Sequence, residues 1–289
     1  MNRFTQSVPV REPYSVRRVL ALLLVGVLGG TLSGAFGVGG GTIMVPLMIW
    51  LLGFDQRRAA ATSLAAIVPA AIAGAASYSV AGQIDLAAAL LIAIGGIAGS
   101  LVGTKLLRTL PLGWLRWLFV AFLVLVALRM FFEVPARGAE LALTPSTIAA
   151  LVGLGVAMGV AAGMFGVGGG VLAVPVLIAF FGAGDLIAKG TSLIAMIPTA
   201  ATGTIANTRA GLVRLGDGLI VGASAVAASF GGVALAFLLP PRLSAVLFGI
   251  LMLVVAVELT QRAIRATRAA RPRPIPTADQ PDRREPDRR

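Results

Sequence analysis

The amino-acid sequence predicts an all-α membrane protein, a polytopic helical bundle of two inverted five-segment repeats with short helices broken by glycine. The first observation is composition: 57% of the 289 residues are hydrophobic, 12% are charged, and the mean hydropathy is +0.93. A water-soluble protein of this size needs more polar surface, so we expect lipid to be its solvent. The second observation is an internal duplication, and the third is the placement of charges between the apolar segments.

A glycine-rich motif occurs twice, as GAFGVGGGTIMVP from Gly34 and as GMFGVGGGVLAVP from Gly163, 129 residues later. The same offset holds without a gap outside the motif. Gly26, Gly30, Thr62, Ser63, Pro69, Gly74, Gly82, Gly103 and Pro111 recur as Gly155, Gly159, Thr191, Ser192, Pro198, Gly203, Gly211, Gly232 and Pro240. Two apolar halves that each contain a glycine-interrupted segment are typical of secondary transporters, in which the substrate site lies between the halves.

Ten apolar runs follow one another along the chain. They lie near 18–37, 41–53, 59–80, 86–107 and 113–132, then near 145–166, 170–182, 188–207, 216–238 and 243–262. A helix needs about 20 apolar residues to cross the hydrocarbon. The second run of each half is shorter, so we expect it to pair with its predecessor through the glycine break, and spanning and re-entrant arrangements both stay open.

These runs divide the chain into five parts. Residues 1–17 form a cytoplasmic N-terminal segment, 18–132 the first transmembrane repeat, 133–144 an extracytoplasmic linker, and 145–262 the second repeat. Residues 263–289 are rich in arginine, aspartate and proline and predict a disordered basic cytoplasmic tail. The basic start before the first run resembles a secretory signal, but that run has repeat partners in the second half and is assigned to the fold.

The charges between the runs predict the orientation. If the N-terminus is cytoplasmic and each run reverses direction, the basic residues near 57–58, 105–116, 209–214 and 262–289 all lie inside. The connections at 81–85, 133–144, 182–185 and 240–242 then lie outside and carry little positive charge. Five reversals in each half invert the second half, and both termini are cytoplasmic. The net charge of +12 therefore reports orientation, and no nucleic-acid partner is expected.

The motif glycines predict an anion site. Residues without a Cβ atom allow positive φ, and the unpaired N–H groups of such a break have to lie away from lipid. The helix that follows, from Thr42 or Val171, directs free N–H groups and the positive end of its dipole into the break. Two inverted copies bring two such sites together near the midplane. The competing interpretation is that the glycines only permit close packing, as the four-residue spacing of Gly26, Gly30 and Gly34 predicts.

Polar side chains near the breaks are further candidates. The pairs Thr62–Ser63 and Thr191–Ser192 open the third run of each half. Their hydroxyls either complete the coordination of an anion or return hydrogen bonds to their own helix, and the sequence favours neither. Asn207 has no identical counterpart in the first half, an asymmetry expected where one ligand fills a pseudo-symmetric pocket.

Several classes of function are excluded or disfavoured. The chain has no Cys and no His, so no cofactor or metal is expected through those ligands. No Lys-Ser or Lys-Thr follows the glycines and no βαβ unit surrounds them, which argues against nucleotide binding. The spans lack a nucleophile with a base and an orienting acid, so no enzyme is expected. Charged residues such as Lys105 and Lys189 lie near the ends of runs, and the sequence indicates no buried carboxylate relay for protons.

The paired Gly-Val-Gly-Gly-Gly breaks followed by Val-Pro, with the paired Thr-Ser-Leu segments that precede a proline, resemble the TauE/SafE family of membrane transporters, the sulfite exporters, over residues 20–262. The resemblance implies a bacterial cytoplasmic (inner) membrane protein that moves sulfite, sulfoacetate or a related sulfonate or carboxylate. It implies substrate-binding roles at Gly37, Gly39, Gly40, Gly41, Thr62, Ser63, Gly166, Gly168, Gly169, Gly170, Thr191 and Ser192. Thr42 and Asn207 complete the candidate site.

The sequence thus predicts a secondary transporter of a small anion that alternates access at the repeat interface by rocking one repeat against the other. An anion channel on the same scaffold and a membrane assembly factor without transport activity are the alternatives. The expected partners are the lipid bilayer and the anion. The substrate, the direction, the coupling ion and the oligomeric state, a homo-oligomer included, stay open.

Overall fold

The computed structural model describes residues 14–109 and 144–269, with six further helical positions between Trp117 and Leu128. The helices with described bounds are α1 (Val16–Phe36), α2 (Gly41–Leu52), α3 (Gln56–Val80), α4 (Leu86–Thr109), α5 (Pro145–Phe165), α6 (Gly170–Phe181), α7 (Asp185–Arg209), α8 (Leu215–Leu238) and α9 (Pro241–Ala269). Most of the fifth apolar run, the predicted N-terminal segment and linker, and the tail from residue 270 lie outside the described residues.

Glycines end the helices on both sides of each break. α1 ends at Gly37, with a φ of 68°, and α2 begins after Gly40, with a φ of 69°. The second half repeats this with Gly166 at a φ of 69° and Gly169 at 82°. Only glycine adopts these left-handed conformations without strain, so the motif residues set where the chain leaves and re-enters the helix.

The helices α1 and α2 form a hairpin that returns to its own starting side. Gly40 lies against the backbone of Gly29, part-way back along α1. The ring of Phe54, just after α2, lies 5.7 Å from the guanidinium of Arg18 at the start of α1. The short α2 is therefore re-entrant, and α6 packs against α5 at the corresponding place, with Gly169 against Met158.

Close pairs of helices join the two halves. Along α1, Gly26 meets Val221 of α8 and Gly34 meets Ser229, so these two helices run parallel with their backbones in contact. α4 and α5 have the same relation. The glycines at these interfaces are Gly26, Gly30 and Gly34 of α1, Gly95, Gly99 and Gly103 of α4, and Gly155, Gly159 and Gly163 of α5. Small residues at every fourth position allow this approach.

At the centre, α3 and α7 pack antiparallel. Gly190, near the start of α7, meets Tyr78 near the end of α3, and Gly203, near the end of α7, meets Leu64 near the start of α3. α3 also runs parallel to α8, and α4 runs parallel to α7. The helices α1, α3 and α8 consequently run in one direction, and α4, α5 and α7 run in the other.

Six of the described helices are long and apolar enough to cross a membrane: α1, α3, α4, α5, α8 and the first part of α9. Apolar side chains such as Leu20, Trp50 and Leu238 are exposed on the outer surface, as expected of a protein whose solvent is lipid. α7 is long enough but less apolar. Its buried polar residues are Asp185, Lys189, Thr191, Ser192, Thr199 and Asn207. The predicted multi-pass all-α membrane fold is confirmed.

Candidate substrate site at the crossing of the two breaks

The two glycine breaks are in direct contact. A methyl group added at Gly41 would overlap the carbonyl oxygen of Gly166 and lie 2.8 Å from the Cα atom of Val167. A methyl group at Gly170 would overlap the carbonyl oxygen of Gly37 in the same way. Each short helix thus begins against the break of the opposite half. All the break residues are buried, so the unwound backbone lies away from lipid as the sequence predicts.

Two apolar side chains fill the space between the breaks. Added methyl groups at Gly39 and Gly168 would both meet Met196 of α7 and Ile67 of α3. Met196 and Ile67 occupy equivalent positions of the two repeats, 129 residues apart in the sequence. These two side chains therefore lie between Gly39 of the first break and Gly168 of the second.

Unpaired N–H groups mark the start of both short helices. In α2 the Gly40 carbonyl accepts the N–H groups of the third and fourth helical residues, at 3.1 and 3.0 Å. The N–H groups of Gly41 and Thr42 have no acceptor among the residues that the structure describes, and the same holds for Gly170 and Val171 in α6. The Thr42 hydroxyl is also buried without a described partner. The α2 end therefore offers N–H groups and one hydroxyl to a ligand.

The candidate serines tie each half to the opposite break. The Ser192 hydroxyl donates to the Gly37 carbonyl at 2.9 Å, and the Ser63 hydroxyl donates to the Gly166 carbonyl. The two threonines differ, because Thr191 accepts the N–H of Asp85 at 2.9 Å whereas the buried Thr62 hydroxyl has no partner among the described residues. Asn207 is fully buried, and neither of its amide atoms has a described partner.

One end of the bundle carries a buried carboxylate that the sequence did not indicate. Asp217 of α8 accepts Arg18 of α1 at 2.9 Å and Arg58 of α3 at 3.1 Å, both on the same oxygen, Oδ2. Its side chain is completely buried, whereas Arg18 and Arg58 are 14% and 30% exposed. Burial, and then the Asp217 carboxylate, raise the pKa of the nearby Tyr14 phenol above its ordinary value. The cluster joins the starts of three helices that run in the same direction.

The other end carries a second buried ion pair. Lys189 Nζ lies 2.9 Å from Asp185 Oδ2, one turn earlier on α7, and 2.7 Å from Ser244 Oγ on α9. Lys189 lies near the start of α7, as its position in the run predicts, but its side chain is only 1% exposed. Gly37, just after α1, packs against the Lys189 backbone, and Lys189 Nζ lies 5.9 Å from the centre of the Phe36 ring. The signal in the sequence is an acid and a base four residues apart in an apolar segment.

Comparison with known families decides the assignment. The family profile described as Sulfite exporter TauE/SafE matches residues 2–130 and 151–285. The chain belongs to the TauE/SafE family. The interval between the matched TauE/SafE segments contains the predicted linker, residues 133–144. No solved structure matches the chain.

The relatives of this TauE/SafE chain are named as membrane transporters. It is similar to the probable membrane transporter protein YunE of Bacillus subtilis, with 25% identity over 216 residues, 67% of this chain and 79% of the relative. It is 30% identical to YdhB of the same organism over 200 residues, 67% of this chain and 80% of the relative. A probable membrane transporter protein of Haemophilus influenzae is 31% identical over 175 residues, 56% of this chain and 63% of the relative.

Proposed function

We propose that this protein is a secondary transporter of a small anion, which binds between the two glycine breaks and is exposed to each side of the membrane in turn. The observation that carries the proposal is the meeting of two buried helix N-termini, each begun by glycines and each with unpaired N–H groups, at the crossing of the breaks. Aligned peptide dipoles place a partial positive charge at a helix N-terminus, which favours an anion without any charged side chain.

The contacts between the two breaks support alternating access rather than a continuous pore. Ile67 and Met196 lie between the breaks, and Ser63 and Ser192 bond each break to the opposite half. An anion reaches the N–H groups when these contacts open on one side. The closed arrangement then forms the barrier on the other side.

We further propose that the two halves are inverted copies. Equivalent helices run in opposite directions: α1 opposes α5, α3 opposes α7, and α4 opposes α8. The starts of α1, α3 and α8 share one end of the bundle with many arginines, such as Arg17, Arg57 and Arg58, and the positive-inside rule assigns this end to the cytoplasm. Both termini then lie on the cytoplasmic side of the inner membrane.

The substrate class follows from the family and from the donors. The TauE/SafE name points to sulfite, and the site offers neutral N–H and O–H groups rather than cationic side chains. Burying a doubly charged ion against neutral donors costs more free energy than burying a singly charged one. A singly charged sulfur oxyanion, a sulfonate or a carboxylate is therefore the preferred cargo.

Thr42→Val tests the site with little change of shape. The equivalent residue in the second half is Val171, in the first turn of α6. A valine is therefore compatible with the first turn of such a short helix. Purified protein in proteoliposomes is assayed for uptake of labelled sulfite and of an alkanesulfonate, with and without a pH gradient. We expect saturable uptake, counterflow, and a KM for the anion about tenfold higher in Thr42→Val, because one hydrogen bond to a charged ligand is lost.

The control is Thr31→Val, which removes a hydroxyl that bonds only to the Val27 carbonyl of its own helix. It is expected to leave the KM unchanged. Saturation without counterflow would indicate a channel, and reconstituted protein that moves no anion would overturn the proposal in favour of a non-transporting membrane protein.

A further inference from the structure

Three polar positions repeat between the halves, and in each pair one member is satisfied inside the protein. Thr191 accepts the Asp85 N–H at 2.9 Å. The Tyr78 hydroxyl donates to the Gly34 carbonyl at 2.9 Å, and the Ser229 hydroxyl donates to the Ala70 carbonyl at 3.3 Å. Each of these bonds holds one helix or loop to its neighbour. The three side chains therefore have a structural role that the fold itself explains.

The equivalent members have no such bonds. The repeat offset relates Thr191 to Thr62, Tyr78 to Asn207 and Ser229 to Ser100. These last three residues are fully buried, and the Thr62 hydroxyl, the Ser100 hydroxyl and both amide atoms of Asn207 lack a partner among the residues described. Buried polar atoms without partners are costly and rare, so several of them together point to a ligand or water that is bound there.

Contacts between helices bring these three residues to one region of the bundle. A methyl group added at Gly203 of α7 would lie 2.8 Å from Ser100 Oγ of α4 and 3.0 Å from Leu64 of α3. Asn207 follows Gly203 by one helical turn, and Thr62 lies in the first turns of α3, beside Ser63, which bonds to the second break. The three residues thus lie between the breaks and the end of the bundle that carries Asp217.

We propose that Thr62, Ser100 and Asn207 form an additional part of the substrate site, on the side of the breaks that faces Asp217. This part of the site hydrogen-bonds a singly charged oxyanion that also carries a hydrogen-bond donor. The proposal rests on the anion-transport function proposed above and narrows its substrate class. The two hydroxyls and the amide nitrogen can donate to oxyanion oxygens. The amide oxygen of Asn207 can only accept, so it requires an O–H or N–H group on the ligand.

This requirement selects among small sulfur oxyanions. Hydrogen sulfite and hydroxy-substituted sulfonates carry both an anionic oxygen and a donor, whereas simple alkanesulfonates carry only acceptors. A site whose buried polar atoms need a partner rejects the analogue that lacks one. The equivalent groups in the other half are already hydrogen-bonded to protein, so they do not bind the ligand. The preference for a ligand with a donor therefore comes from Thr62, Ser100 and Asn207 alone.

The test compares 2-hydroxyethanesulfonate with ethanesulfonate as competitors of labelled sulfite uptake in proteoliposomes. These probes share a charge and a two-carbon chain and differ in one hydroxyl group. We expect 2-hydroxyethanesulfonate to compete at least about tenfold better in the wild type, the worth of one hydrogen bond with a buried partner. Asn207→Leu should remove this preference, and Ser100→Ala should raise the KM for the hydroxysulfonate.

Matched controls come from the equivalent positions. Tyr78→Phe and Ser229→Ala each remove a bonded hydroxyl, so they should lower the melting temperature and retain the preference. Ser100→Ala removes no described protein hydrogen bond and should retain the melting temperature, which keeps the test readable even if Asn207→Leu folds poorly. This inference alone would be overturned if Ser100→Ala and Asn207→Leu kept saturable sulfite uptake, the wild-type KM and the preference for 2-hydroxyethanesulfonate. That result would show that these polar groups only bind water. Absence of saturable uptake in the wild type would instead overturn the proposed function.

Discussion

The contact between the two breaks predicts the effect of a single methyl group. Gly41→Ala places a Cβ atom into the Gly166 carbonyl oxygen, 2.8 Å from the Val167 Cα atom and 3.0 Å from Ile67. Two of these neighbours are backbone, which cannot rotate away, so the breaks have to move apart. Overpacking of this kind costs about 1–3 kcal/mol, and separating the breaks also weakens the bond from Ser63, worth about 1 kcal/mol. Since alanine is a better helix former than glycine by up to about 1 kcal/mol, the net loss is about 2 kcal/mol.

The matched control is Gly153→Ala on α5, where an added methyl group meets no atom within 4 Å. This variant keeps the gain in helix propensity without the overlap, so its melting temperature should equal or exceed that of the wild type. Melting temperatures are measured in one detergent by tryptophan fluorescence, and anion uptake is measured in proteoliposomes. Gly41→Ala should melt several degrees lower and lose most of its uptake.

The equivalent substitution Gly170→Ala allows a double-mutant cycle. Both methyl groups act by pushing the same two breaks apart, so the second should cost less than the first. Equal melting temperature and uptake in Gly41→Ala and Gly153→Ala would refute the contact between the breaks. Full additivity of Gly41→Ala and Gly170→Ala would show that the two methyl groups act at separate places.

Three further predictions concern the buried polar groups. Asp217→Asn leaves two guanidiniums without their carboxylate and should cost about 3 kcal/mol or more in thermal unfolding, whereas a neutral result would mean that water compensates the cluster. Lys189→Met leaves the Asp185 carboxylate buried and unpaired and should destabilise by about 3–5 kcal/mol, and adding Asp185→Asn should recover part of that loss in a double-mutant cycle; no recovery would exclude the pairing. Ser192→Ala removes the bond to the opposite break and should cost about 1 kcal/mol, and an unchanged melting temperature would show that this bond contributes nothing.

The breaks could be predicted from the sequence because glycines such as Gly37 and Gly40 favour the positive φ angles at which a helix ends or begins. The repeat then adds long-range information that a single motif lacks, because a second break at the equivalent position is a predicted partner for the first, and the two breaks are in contact. The same comparison of equivalent positions drew attention to Asn207. In each case a motif or position that occurs in both halves predicts which residues lie together in the folded protein.

The Asp217 cluster could not be predicted, because its members come together only through the tertiary fold. Arg18 and Asp217 lie 199 residues apart in the sequence, and each by itself reads as a charge near the end of a run. The partners of the serines were hidden for the same reason, since Ser63 bonds to a carbonyl 103 residues away. Lys189 is buried because other helices enclose α7, which the hydropathy of α7 itself does not reveal.

The packing indicates which parts move under the proposed mechanism, and it argues against rocking one sequence repeat on the other. α1 of the first half is locked to α8 of the second through backbone contacts at glycines, and α4 is locked to α5 in the same way. Separating the sequence halves would open both interfaces and lose their dispersion contacts.

A division that preserves them exchanges α4 and α8 between the halves, so that α1, α2, α3 and α8 form one body and α4, α5, α6 and α7 form the other. The structural bonds of Tyr78 and Ser229 then lie within the first body, and that of Thr191 within the second and its leading loop. The groups that lack partners lie on both sides of the boundary, with Thr62 on the first body and Ser100 and Asn207 on the second. Under the proposed mechanism, an anion bound by Thr62 together with Ser100 or Asn207 would bridge the two bodies, so their separation would release it.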